Sequence, residues 1–151
     1  MGVKLQAILD TLKQLGPDYA ESAKILEENP DVFVLWAFDP VKGPSGYITN
    51  VSITKEDVPS GITILDYLEA AMNGMPSHIR KIDQSVVSVG AFEAGKLVLS
   101  SDIQGLKGLS TIYSIKDGDR FWNVTYSTGA DEFVQRTPMW EQSIGTFQLD
   151  G

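Results

Sequence analysis

Cysteine is absent from this 151-residue chain, and histidine occurs once, at His78. The first absence excludes disulfides, thiolate metal sites and cysteine nucleophiles, while leaving the redox compartment open. The second leaves zinc without a ligand set, because His78 has no second histidine or close carboxylate pair at metal-ligand spacing. Basic residues are scarce too: 12 Lys and Arg stand against 20 Asp and Glu, a formal net charge of −8, and no basic cluster is longer than Arg80-Lys81. Nucleic acid is not expected as a partner, since its binding depends on neutralising phosphates, and anionic lipid would repel the same surface. No apolar run approaches the roughly 20 residues that span a bilayer. Lys4, Asp10 and Lys13 interrupt the start, where a signal peptide needs an uncharged core, so an export signal is absent or was removed before this chain was defined.

The motifs of familiar chemistry are missing as well. There is no Gly-x-Ser-x-Gly elbow, no Gly-x-Gly-x-x-Gly turn and no Walker loop, and any triad would have to use His78. Placed beside Pro76 and Ser77, His78 reads as a solvated loop histidine. The acidic pairs Glu56-Asp57, Asp117/Asp119 and Asp131-Glu132 lack calcium-loop spacing. Asp117/Asp119 fits a turn, and Asp131-Glu132 suits the positive end of a helix. Asn50-Val51-Ser52 and Asn123-Val124-Thr125 match the glycosylation triplet by accident, both lying in predicted strands.

What the chain has is the size and composition of one domain covering residues 1–151, with 42% hydrophobic and 21% charged residues. Leu5, Ile8, Leu9 and Leu12 recur at helical spacing until Gly16-Pro17, and a second helix is predicted from Asp18 to about Asn29. Val32 to Phe38 is a continuous β-branched and aromatic run, the pattern of a central strand covered on both faces. Val51 and Ile53 alternate with Ser52 and Thr54 in a second strand. Thr63 and Asp66 have capping-box spacing and open a helix over about 64–75. Strands follow at roughly 81–89, 92–102, 109–116 and 120–127, the last two joined by a turn at Lys116-Asp117-Gly118-Asp119. Pro138 divides the tail into a short helical turn and a new helix starting at Thr137-Pro138, with Trp140, Ile144 and Phe147 on one face. This order suits a largely antiparallel sheet with helices packed on it.

Tyr113-Ser114-Ile115-Lys116-Asp117-Gly118, Trp122 to Tyr126, Ala130-Asp131-Glu132-Phe133 and Trp140 to Phe147 resemble the C-terminal half of the PsbP-like family, which includes extrinsic photosystem II proteins and bacterial lipoprotein or secreted relatives. Leu35 to Asp39, Thr49 to Ser52 and the helix from Thr63 fit the middle of the same pattern. The resemblance implies an α+β fold, an α/β/α sandwich around a central, largely antiparallel sheet, and a binding or assembly role without a catalytic centre or cofactor. It carries no functional residue onto this chain. The family's usual N-terminal strand is missing, so an open sheet edge could pair two copies into a homodimer.

The leading expectation is a non-catalytic, extracytoplasmic binding module, secreted or lipoprotein-anchored, with an unidentified protein partner; a cytoplasmic location is the alternative. The second is a pocket for a small apolar molecule or a metal ion, walled by Trp36, Trp122 and the helix from Thr63, although tryptophan in such runs more often packs a core. An enzyme of unknown class is third, for want of a paired acid and base or a nucleophile.

Overall fold

The computed structural model describes Glu28, residues 33–39 and residues 41–149. The helices predicted before Pro17 and from Asp18 to Asn29 lie outside the described residues, apart from helical Glu28. The described residues form six strands and two helices: β1 (Phe33–Phe38), β2 (Asn50–Asp57), α1 (Ile64–Asn73), β3 (Ile79–Val89), β4 (Phe92–Ile103), β5 (Leu106–Asp117), β6 (Arg120–Gly129) and α2 (Phe133–Ile144).

The strands form one sheet in the order β1-β2-β6-β5-β4-β3, with every neighbouring pair antiparallel. Tight turns join the three consecutive hairpins. Gly90 and Gly118 open two of them with φ of 59° and 60°, where a side chain would be strained, and Gln104-Gly105 makes the third with φ of 54° and 86°. The link between β2 and β3 is long because it must carry the chain across the sheet. It does so through α1, whose start is fixed by reciprocal bonds: Thr63 Oγ1 accepts from the Asp66 amide, and Asp66 accepts from the Thr63 amide.

Strand periodicity sorts the apolar side chains onto two faces. Leu97, Leu99 and Phe121 meet Ile64, Tyr67 and Leu68 of α1. On the opposite face Ala94, Tyr113, Ile115, Val124 and Tyr126 meet Trp140 and Ile144 of α2, with Phe147 against them. Each fully buried Leu, Ile or Phe contributes about 1.5–3 kcal/mol. The α/β/α sandwich and the antiparallel sheet are as expected from the sequence.

Two expectations are corrected. The apolar run at β1 is not a central strand: among the described residues β1 ends the sheet, and Val34 and Leu35 are 43% and 47% exposed. The central strands are β6 and β5, whose Ser, Thr and Asn content concealed their burial. Nor does Pro138 start a new helix; α2 runs unbroken through it. Proline removes the amide that would bond the Val134 carbonyl, but Val134 is 86% exposed and water can take that place. Thr137 Oγ1 meanwhile donates to the Phe133 carbonyl at 2.7 Å. Pro138→Ala restores the missing bond and is expected to stabilise the protein by about 2 kcal/mol, read from urea denaturation.

Candidate functional site

The chain leaves β2 at Glu56 and enters α1 at Thr63, and between them it turns against the β5–β6 hairpin. The Val58 amide donates to the Asp119 carbonyl at 2.8 Å, and Ser60 Oγ to Asp119 Oδ2 at 2.9 Å. This anchored loop and the first turns of α1 enclose a groove of about 310 Å³. Val58, Pro59, Ile62, Ala70 and Ala71 make its apolar walls, and Glu56, Asp66 and Tyr67 its polar ones.

A line of hydrogen bonds holds the groove in shape. Tyr67 Oη donates to Glu56 Oε2 and accepts from Asn123 Nδ2, and Ser114 Oγ donates to Asn123 Oδ1, each at 2.7 Å. Register explains the alignment, since Thr54, Asn123, Ser114 and Gly95 are successive cross-strand partners and Glu56 pairs with Phe121. The Tyr67 ring stacks on Phe121, with centroids 3.9 Å apart and planes 3° from parallel. Tyr67 is thereby clamped at its face and at its hydroxyl. Asp66 is held below the usual carboxylate range, first by the hydrogen bond from the Thr63 side chain and then by the Thr63 amide.

Burial pushes the Tyr67 phenol well above its ordinary value of 10.0; the bond from Asn123 opposes the shift and Glu56 adds to it. Tyr113 and Tyr126, in the opposite core, are raised first by burial as well. A raised phenol pKa favours the neutral form in the folded state. The corresponding stability is therefore complete below the unfolded value of 10.0 and is lost as pH rises through the folded values. Denaturation at a series of alkaline pH values, followed by phenolate absorbance, is expected to show these three tyrosines ionising only as the fold opens. Ionisation at the ordinary value with the fold intact would contradict the assignment.

Trp122 and the groove lie on opposite faces. Trp122 is half-buried against the α2-side core, its Nε1 donating to Asp117 Oδ2 at 3.4 Å and Arg120 lying 5.9 Å over its ring. Trp36 pairs with Ser52 in β1, and its side chain lies outside the described residues. Of the three predicted pocket walls, the helix from Thr63 lines the groove. His78 is exposed in the turn before β3. Glu56 and Asp57 diverge, Asp57 taking Arg120 at 2.6 Å. Glu132 reaches Arg136 at 3.0 Å instead of capping α2, and Arg136 also meets Asp39 at 3.5 Å, tying the loop after β1 to that helix. Among the described residues no group of three or more His, Asp or Glu is placed to hold a metal. No described helix is long and apolar enough to cross a membrane.

Sequence reasoning missed Tyr67, Asn123 and Ser114. The available signal was a polar residue at the inward position of two predicted strands, where an apolar one is expected. Asn123 drew attention only within a glycosylation triplet and within the Trp122–Tyr126 stretch of the resemblance, which assigned it no role.

No family model matches the chain, and no curated protein matches it in sequence. Solved structures do resemble it. Protein PA94 of Pseudomonas aeruginosa, of unknown function, is 16% identical, with 78% of this chain and 83% of that one covered and a TM-score of 0.64. PsbP of the cyanobacterium Synechocystis is 14% identical over 80% of this chain and 88% of its own, at a TM-score of 0.49. LpqN of Mycobacterium tuberculosis, involved in cell envelope biogenesis, is 14% identical over 70% of this chain and 73% of its own, at a TM-score of 0.48. In architecture the chain is an α+β protein with helices on both faces of an antiparallel sheet, as the resemblance to PsbP-like proteins implied, and these likenesses concern fold alone.

Proposed function

We infer that this protein is a non-catalytic binding module and that the groove between α1 and β2 is its binding surface. The observation that carries this reading is how the polar groups beside the groove are used. Tyr67, Asn123 and Ser114 spend their hydrogen bonds on one another and on Glu56, and Tyr67 is held neutral by burial. Such a line fixes a shape and is poorly suited to moving a proton, which needs a group titrating near the working pH. A protein partner is the favoured occupant. The volume also lies at the lower end of the range for small-molecule sites, roughly 300–1,000 Å³, so a small ligand is the second reading. The extracytoplasmic location rests on the sequence resemblance and is tested by fractionating cells that carry the whole gene.

Photo-crosslinking tests the surface. A benzoylphenylalanine at position 71, in the groove wall, is expected to yield one discrete adduct in the producing cells. The same group at position 104, in the exposed β4–β5 turn at the far end of the sheet, is expected to yield none. Equal adducts from both positions, or none from position 71, would contradict the reading. A homodimer remains a proposal too, favoured by the exposure of Val34 and Leu35 on β1, the end strand among the described residues. The β3 edge is less suited to it, because a bulge between Lys81 and Asp83 and the charges of Arg80, Lys81 and Asp83 interrupt it. Light scattering decides by mass: a monomer throughout would exclude the dimer.

A further inference from the structure

Glu56 of β2 and Asp66 of α1 both line the groove, together with Val58, Ile62, Ala70 and Ala71. Glu56 Oε2 accepts from Tyr67 and the Asp66 carboxylate from the amide and side chain of Thr63, while Glu56 Oε1 carries no hydrogen bond among the described residues. Neither carboxylate has an ion-pair partner there. Arg120 lies on the opposite face, over Trp122 and committed to Asp57, and Lys116, the cross-strand partner of Phe121, forms no ion pair with either carboxylate. The groove is thus lined by apolar side chains and by two carboxylates that form no ion pair among the described residues. It lacks the third ligating side chain that a metal ion would require.

Resting on the reading of the groove as a binding surface, we propose that it takes a long basic side chain, lysine or arginine, from a basic segment of a partner protein. The methylene stem of such a residue lies against Val58, Ile62, Ala70 and Ala71, and its charged end reaches the carboxylates of Glu56 and Asp66. A neutral apolar side chain would leave both carboxylates uncompensated, and an acidic one would be repelled by them. The net charge of −8 steers a basic segment toward the protein from a distance.

The test is a titration of the ¹⁵N-labelled full chain with the peptide acetyl-Leu-Lys-Leu-Arg-Leu-amide and with its counterpart carrying glutamate at both basic positions. The basic peptide is expected to shift the amides of Val58, Ile62, Tyr67, Ala70 and Ala71, and the acidic one to leave them unmoved. Glu56→Gln keeps an acceptor for Tyr67 and preserves the fold, yet is expected to weaken binding roughly fivefold, the scale of one exposed ion pair. Asp83→Asn, on the far edge strand, leaves the affinity unchanged. Shifts scattered over the acidic surface, equal binding of the acidic peptide, or indifference to Glu56→Gln would each overturn the proposal. If the basic peptide misses the groove while position 71 still forms its adduct in cells, the cationic occupant is wrong and the binding surface stands; loss of both removes both.

Discussion

Phe121→Ala is expected to lower the free energy of unfolding by about 3–5 kcal/mol in urea denaturation. Phe121 has no exposed surface, and its ring is the platform on which Tyr67 stacks at 3.9 Å. Its removal leaves a void beneath the Tyr67 ring, between the sheet and α1, which the hydrogen bonds at the Tyr67 hydroxyl keep from closing. Trp122→Ala, one residue further along β6 and on the other face, removes a larger side chain that is only half-buried. A smaller loss is expected there. A larger loss at Trp122 than at Phe121 would mean that the faces have been assigned wrongly.

The second large effect is a coupled one. Leu68 is fully buried, and its side chain occupies the space that a Cβ on Gly95 would need, with Cδ1 2.6 Å from that position. Leu68→Ala should cost about 2–5 kcal/mol through the cavity it opens. Gly95→Ala should cost about 1–3 kcal/mol by driving a methyl group into an immobile leucine. The double variant places that methyl in the vacated space, so its cost should fall below the sum of the two single costs. Strict additivity would show that α1 does not approach β4 as closely as described.

Much of this fold was legible because the relevant signals are local. Thr63 and Asp66 announced the start of α1, and the glycines of the turns separated strands of clear periodicity. The two corrections arose where local and global requirements part. The β1 run is apolar enough for a sheet centre, yet strand order is set by which hairpins close, and that is not written in any one strand. Pro138 marks a break by the local rule against proline in helices, but the helix continues through it at an exposed turn, where Val134 is open to solvent and Thr137 bonds the Phe133 carbonyl. The groove was less legible still. Its helical wall was foreseen, whereas Glu56, Tyr67, Asn123 and Ser114 come from four separate elements, and their meeting depends on register between β2, β6 and β5. Tryptophan drew attention for its size, and Trp122 serves the opposite core.

The most direct test of the groove as the binding surface is the ¹⁹F spectrum of the protein labelled with 3-fluorotyrosine, recorded before and after adding extract of the producing cells. Tyr67 borders the groove, while Tyr113 and Tyr126 lie in the core beneath α2. The predicted result is a shift or broadening of the Tyr67 resonance with Tyr113 and Tyr126 unmoved. A change at Tyr113 and Tyr126 with Tyr67 unmoved would place binding on the α2 face and contradict the account.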